Sequence, residues 1–254
     1  MSKNNIRTVE SDNIVGRLYN VINELKYFSG ENSNGAFSKV FSLDKSDKAG
    51  IMYNYAELFK MCNLGISEIE KLNPKNAIKH KNALNNAIEG LSKIYFNISP
   101  GSYENGMDKF KQHFNSELIL SLEYCADFLS EYSDEQDIEE EKIQEMIKEI
   151  EALIEEVFGC KLDSDLEKIL ICQLNNVRES LFKYKLYGSE GIVNSISTTV
   201  GTLILNRELV DNEKSMFTVE KIFGILSKIN TIVSFKNNSL AILGTIYKQI
   251  TGNN

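Results

Sequence analysis

The chain has 254 residues, 42% of them hydrophobic and 25% charged, so it carries enough apolar surface for a buried core and is not a wholly disordered protein. Its net charge is −8, and only four of its 28 basic residues are arginines. Because arginine is the preferred reader of phosphate and guanine, this balance argues against a nucleic-acid-binding protein.

Apolar residues recur at helical spacing along most of the chain, and only two prolines, Pro74 and Pro100, interrupt it. This pattern predicts an all-α fold, a multi-helix bundle of about nine helices. The predicted helices span residues 13–28, 48–72, 74–95, 107–132, 138–158, 164–187, 190–208, 217–235 and 238–251. Residues 29–46 and 97–106 are rich in Gly, Ser and Asn, which predicts loops.

The predicted elements fall into three parts. Residues 1–12 are polar and are expected to form a flexible tail. An N-terminal helical region over 13–132 and a C-terminal helical region over 133–252 meet at a polar turn that starts at Ser133. The sequence leaves open whether these regions are two helical subdomains or one continuous domain.

The helix predicted at 138–158 combines a regular apolar seam with a strongly acidic surface. Its apolar residues recur at alternating intervals of four and three, which predicts lengthwise packing against a neighbouring helix. Residues 131–158 hold 12 acidic residues and two lysines. Glu141, Glu145 and Glu149 form a stripe at i, i+4 and i+8, with two interpretations: a solvated face, or a partner-binding surface for a basic protein.

The segment from Gly191 to Leu205 is made of small residues around an apolar line, and it predicts a central helix. Gly201 follows Val200 on that line, and a glycine inside a helix costs about 1 kcal/mol relative to alanine. We therefore predict close helix packing at Gly201, where a neighbouring element would occupy the space of the absent side chain. The alternative is a segment that leaves the fold and inserts into a membrane.

Residues with catalytic or metal-binding chemistry are few. The chain has two histidines and none of the common nucleophile, zinc or phosphate-loop motifs, so neither catalytic residues, a metal nor a cofactor is predicted. His113 and Glu117 have i, i+4 spacing, for which a surface hydrogen bond is favoured over a shared metal. The basic residues between Lys71 and Lys81 are taken as a solvated face rather than a phosphate site. Four scattered cysteines, together with a polar start that lacks a signal-peptide pattern, fit reduced thiols and a cytoplasmic localisation.

The stretch from Leu181 to Leu209 resembles helical proteins of unassigned activity that are encoded beside bacterial phage-defence genes. The residues that carry this resemblance are Tyr184, Tyr187, Gly188, Gly191, Val200, Gly201 and Leu203. The resemblance implies a bacterial cytoplasmic protein with a role in antiviral defence or its regulation, and it implies no catalytic residue.

Three functional hypotheses follow. The leading one is a non-enzymatic helical interaction protein, a scaffold, sensor or regulatory subunit that acts through a protein partner or by self-association as an oligomer. The alternative is a conditional membrane-disrupting effector that uses the apolar C-terminal third. An enzyme with an unrecognised site is the third.

Overall fold

The computed structural model describes residues 8–28, 30–72, 74–94, 106–135, 137–210 and 212–233. In this part of the chain all regular secondary structure is helical, which confirms the predicted all-α, multi-helix fold. The chain divides into two compact units, Met1–Ser133 and Asp134–Asn254. The helix predicted at 238–251 and most of the loop predicted at 97–106 lie outside the described residues.

The first unit contains six of the described helices, four of which form a closed ring. Its helices are α1 (Ile14–Tyr27), α2 (Ser33–Phe41), α3 (Lys48–Leu72), α4 (Ala77–Leu91), α5 (Gly106–His113) and α6 (Ser116–Ser130). In the ring, α1 packs on α6, α6 on α4, α4 on α3, and α3 on α1. The short helices lie outside the ring, α2 against α1 and α3, and α5 against α4 and α1.

Two glycines allow the helices of the first unit to approach closely. A Cβ on Gly65 of α3 would stand 2.7 Å from Cγ2 of Val15 in α1. A Cβ on Gly90 of α4 would stand 2.6 Å from Cε2 of Phe114, which is fully buried. Both distances are shorter than van der Waals contact, so the missing side chain is what permits each approach.

Asparagine caps create two helix boundaries that the sequence pattern did not predict. The loop predicted at 29–46 contains α2, whose first turn is capped by Asn32: its Oδ1 accepts from the backbone N of Gly35 at 2.8 Å. The single helix predicted at 107–132 is two helices, because Asn115 Oδ1 accepts from Leu118 N at 2.9 Å and starts α6. A capping asparagine accepts from backbone N–H groups in the first turn of its helix. In a continuous helix these groups would bond to carbonyls of the preceding turn.

The break at Asn115 also separates His113 from Glu117. His113 is the last residue of α5, and Glu117 lies in the first turn of α6. His113 and Glu117 therefore belong to different helices, so their i, i+4 spacing does not place them on one helical face.

Residues 8–12, predicted as part of a flexible tail, are bonded to the bundle. The side-chain amide of Asn20 in α1 makes two hydrogen bonds to the backbone of Val9: its Oδ1 accepts from Val9 N at 2.9 Å, and its Nδ2 donates to Val9 O at 2.8 Å. Asp12 is buried, and its carboxylate accepts from Asn13 Nδ2 at 2.9 Å and from Ser130 Oγ at 2.7 Å. The polar residues that suggested a free tail are those that form these bonds; residues 1–7 lie outside the described part.

The second unit is a four-helix ring. Its described helices are α7 (Glu140–Gly159), α8 (Ser164–Phe182), α9 (Tyr184–Leu205) and α10 (Glu213–Val233), with a 3-10 turn at Arg207–Leu209. Each helix packs against the next, and α10 returns to α7. The predicted apolar seam of α7 is confirmed, since all five of its residues are buried: Ile143, Ile147, Ile150, Ile154 and Val157.

Gly188 forms a kink near the start of α9. Its backbone has φ 60° and ψ −157°, a conformation essentially restricted to glycine. The helix predicted at 164–187 ends earlier, at Phe182 with Lys183 as its C-cap, and residues 184–187 form a short helical turn before the kink. Beyond it, Ser195 Oγ lies 2.8 Å from Ser180 Oγ of α8, so the two helices form an antiparallel hairpin.

Candidate interaction surfaces

The predicted acidic stripe of α7 divides into a paired and an exposed part. Glu149 forms an ion pair with Lys228 of α10, and seven residues further on Glu156 pairs with Lys221. Both pairs fit one antiparallel register between α7 and α10. Glu141 and Glu145 are exposed, and within the described residues no cation pairs with them. Of the three glutamates in the predicted stripe, only Glu141 and Glu145 are therefore available to bind a basic partner.

The predicted close helix packing at Gly201 is not seen within the described part of the chain. Among those residues, no atom outside the helix's own backbone and adjacent residues lies within 4 Å of the position that a Cβ would occupy. The neighbouring Ser197 and Thr198 are exposed, and Leu205 is 82% exposed. The hydroxyls of Ser197, Thr198 and Thr202 donate to the carbonyl four residues earlier, for example Thr198 Oγ1 to Asn194 O at 2.9 Å. Intrahelical bonds satisfy these three side chains, whereas Ser195 also contacts Ser180 of α8.

A row of large side chains on α6 was missed by the sequence analysis. The inward face of α6 is buried as expected, but Leu120, Tyr124, Phe128 and Tyr132 recur every four residues along its outer side and the turn that follows. Tyr124 is 62% exposed, Tyr132 59% and Leu120 44%. We call these four residues the α6 row. A second apolar periodicity on the face opposite the core is the sequence signal that would have revealed it.

The α6 row meets α4 through a ring stack. His80 of α4 stacks on Phe128 at 4.9 Å between ring centroids, and Phe128 lies 5.2 Å from the ring of Tyr132. Burial in this contact, and then the positive charge of nearby Lys79, lower the pKa of His80. The stack sets the position of α4 along the axis of α6, and it covers part of the Phe128 ring.

Charged residues of opposite sign border the α6 row. On the α4 side lie Lys75 and Lys79, both exposed; on the far side of α6 lie Asp127 and Glu131, also exposed. None of these four side chains forms an ion pair with a described residue. Asp127 also lines a shallow depression together with Thr8, Val9, Glu10 and Ser130, on the side of α6 away from α4. The surface is thus basic at one edge, aromatic in the middle and acidic at the other edge.

The remaining lysines of the predicted basic stretch are neutralised locally. Lys71 Nζ lies 2.7 Å from Glu68 Oε1, and Lys81 Nζ lies 2.5 Å from Glu70 Oε1. These pairs support the solvated-face interpretation, because each charge is balanced by a neighbour within the same unit.

At one end of the second unit, three large apolar side chains are exposed. Phe158 is at the end of α7, Phe217 is in the first turns of α10, and Leu205 ends α9. The register of the α7–α10 ion pairs places Phe158 and Phe217 at nearly the same position along the two helix axes. Lys221 lies over the Phe217 ring, 4.7 Å from its centroid, which partly covers that aromatic surface.

Side chains that could ligate a metal do not cluster in the described residues. No set of three or more His, Cys, Asp or Glu side chains there has an arrangement that would hold a metal ion. Burial raises the pKa of the thiols of Cys62 and Cys125 to about 12, whereas Cys172 is exposed.

Comparison with protein families, curated proteins and solved structures finds no match for this chain. Within the described residues, no helix has both the length and the apolar character that crossing a membrane requires.

Proposed function

We propose that the chain is a non-enzymatic helical interaction protein, a scaffold, sensor or regulatory subunit that works in the bacterial cytoplasm through a protein partner or by self-association. The α6 row carries this proposal. Both units bury extensive apolar cores, yet Tyr124 and Tyr132 leave most of their surface accessible beside charges that have no ion-pair partner among the described residues. Aromatic side chains with a polar tip are enriched at protein interfaces, and contiguous exposed apolar surface marks such sites.

The exposed glutamates of α7 provide a second surface for a basic partner. Glu141 and Glu145 lie four residues apart, and the neighbouring pair between Glu149 and Lys228 makes Glu149 unsuitable as a probe, since its reversal would disturb α7–α10 packing. The surface is therefore tested with Glu141→Lys/Glu145→Lys alone. Glu213→Lys/Glu220→Lys, two exposed glutamates of α10, is the control with the same change in net charge.

The test is affinity purification of the tagged chain under mild conditions, with quantitative mass spectrometry of the proteins recovered. An interaction protein retains a stoichiometric partner. Glu141→Lys/Glu145→Lys, or replacement of the two tyrosines of the α6 row by serine, removes this partner, while the α10 control does not. Recovery of the chain as an isolated monomer from cells that produce it at native level would contradict the proposal. A defence role predicts in addition that deleting the gene raises the number of phage plaques.

A conditional membrane-disrupting effector is the second candidate, favoured by the exposed Phe158, Phe217 and Leu205 at one end of the second unit. Large apolar side chains at one end of a bundle can enter the interface of a bilayer. Release of a trapped dye from phosphatidylglycerol vesicles measures this activity. Leakage that is lost when the three residues become serine supports the effector; intact vesicles at micromolar protein contradict it.

A further inference from the structure

The face shared by α4 and α6 has a charge pattern that is complementary to itself. Its lysine edge consists of Lys79 in the first turn of α4 and Lys75 in the turn that precedes α4, and its acidic edge, Asp127 and Glu131, lies beyond the α6 row. The two edges also lie at similar positions along the helix axes. His80 of α4 stacks on Phe128 of α6, and Gly90 lies beside Phe114, so the two helices run antiparallel. Lys79 and Asp127, the neighbours of the stacked rings, therefore lie within about one helical turn of each other along the axis, and Lys75 before α4 and Glu131 after α6 are displaced from them toward the same end.

We propose that this face is the contact surface of a homodimer in which the α6 rows of two copies pack on each other. The inference rests on the proposed interaction function and names the partner as a second copy of the chain. A two-fold axis in the contact plane, running along α6, brings the lysine edge of each copy onto the acidic edge of the other. Lys79 then faces Asp127, and Lys75 faces Glu131, twice each.

Other symmetric arrangements do not fit these charges. An axis across α6 places lysine on lysine and carboxylate on carboxylate, where like charges oppose contact. With the axis along α6, the aromatic residues near the axis meet their own equivalents, so Tyr124 and Phe128 bury against the same residues of the second copy. The exposed charges stay at the rim, where they select the partner and the register rather than provide most of the affinity.

The experiment uses two charge-reversed forms of the full chain, Lys75→Glu/Lys79→Glu and Asp127→Lys/Glu131→Lys. The first has two acidic edges and the second has two basic edges. Sedimentation velocity over a concentration series is expected to show the unmodified chain as a dimer and each variant alone with its dissociation constant raised about tenfold or more. Mixed in equal amounts, the two variants are expected to form a heterodimer of near-normal affinity.

The controls separate charge from position and from folding. Lys148→Glu/Lys214→Glu and Glu213→Lys/Glu220→Lys change the net charge equally on other helices and should leave the dimer unaffected. Far-ultraviolet circular dichroism and the unfolding midpoint of each variant establish that it is folded; the residues are exposed, so little change is expected. Tyr124→Ser weakens the dimer independently of charge.

Three results would overturn the inference: an unmodified chain that is monomeric at every concentration, a dimer that both charge reversals leave intact, or two weakened variants that do not associate with each other when mixed. None of these results bears on Glu141 and Glu145, so loss of the homodimer with a retained protein partner would reject this contact and keep the proposed interaction function.

Discussion

Gly201 and Gly90 lie inside helices but differ in what surrounds the position of a β-carbon. At Gly90 the ring of Phe114 lies 2.6 Å away, whereas at Gly201 no described neighbour lies within 4 Å. Gly201→Ala should therefore raise stability by about 0.5–1 kcal/mol, since alanine is the better helix former. Gly90→Ala should lower it by about 1–3 kcal/mol, because the buried ring must move.

Urea midpoints of the two variants and the unmodified chain measure this difference. Equal shifts, or a lowered midpoint for Gly201→Ala, would show that an element does pack at Gly201. The sequence alone does not distinguish the two glycines, because the cost of a glycine in a helix is the same at both positions. What distinguishes them is the ring of Phe114, contributed by a residue 24 positions away in the chain.

The four thiols are expected to react in an order set by burial. Because burial raises the pKa of Cys62 and Cys125 to about 12, their thiolate fraction at pH 8 is negligible, and both are inaccessible. Ellman's reagent at pH 8 should modify Cys172 first and the partly exposed Cys160 next. The other two should react only in denaturant. A fast phase of three or four thiols in the native protein would contradict the described core, and Cys172→Ser, which should remove the fastest phase, is the control.

At the scale of the helix, the pair between Glu149 and Lys228 links α7 to α10. Glu149→Lys places two lysines together and should lower stability by about 0.2–1 kcal/mol, the range of a surface pair. Adding Lys228→Glu recreates the pair with its charges exchanged and should restore the loss. Chemical denaturation of Glu149→Lys, Lys228→Glu and the double variant gives the coupling free energy between the two residues. Glu145→Lys is the matched control and should be nearly neutral; a double variant no more stable than Glu149→Lys would show that the helices are not in this register.

A helix with one strong apolar periodicity could be predicted from the sequence, whereas a helix whose boundaries are set by local capping residues could not. In α7 five apolar residues at heptad spacing sufficed, and all five are buried. For α2, Gly, Ser and Asn obscured a helix whose inward residues include Phe37 and Val40. The α6 row escaped notice because the inward periodicity of the same helix already explained its apolar residues. Whether the outer row of α6 is exposed depends on which sides of α6 are covered by α1 and α4. That is a property of the tertiary packing, which the sequence pattern does not show.

At the scale of the whole chain, the division at Ser133 and Asp134 separates two rings of four helices, each with its own core. The sequence placed a boundary in the polar turn at the same point because the helical pattern stops there, but whether each half is stable alone depends on the closure of its ring. In the first unit, closure requires α6, which joins α1 to α4. In the second, it requires α10, which returns to α7.

Because each ring buries its own apolar faces, the fragments 1–133 and 134–254 should each fold independently. Each is expected to give a helical circular dichroism spectrum and a cooperative urea transition. A cut at Phe114–Asn115 is the control: it removes α6 from the first ring, so fragment 1–114 should lack a cooperative transition even though it keeps five of the described helices. If neither 1–133 nor 134–254 unfolds cooperatively, the two rings depend on each other for stability. If 1–114 folds as well as 1–133, the contact of α6 with α1 and α4 is not what closes the first core.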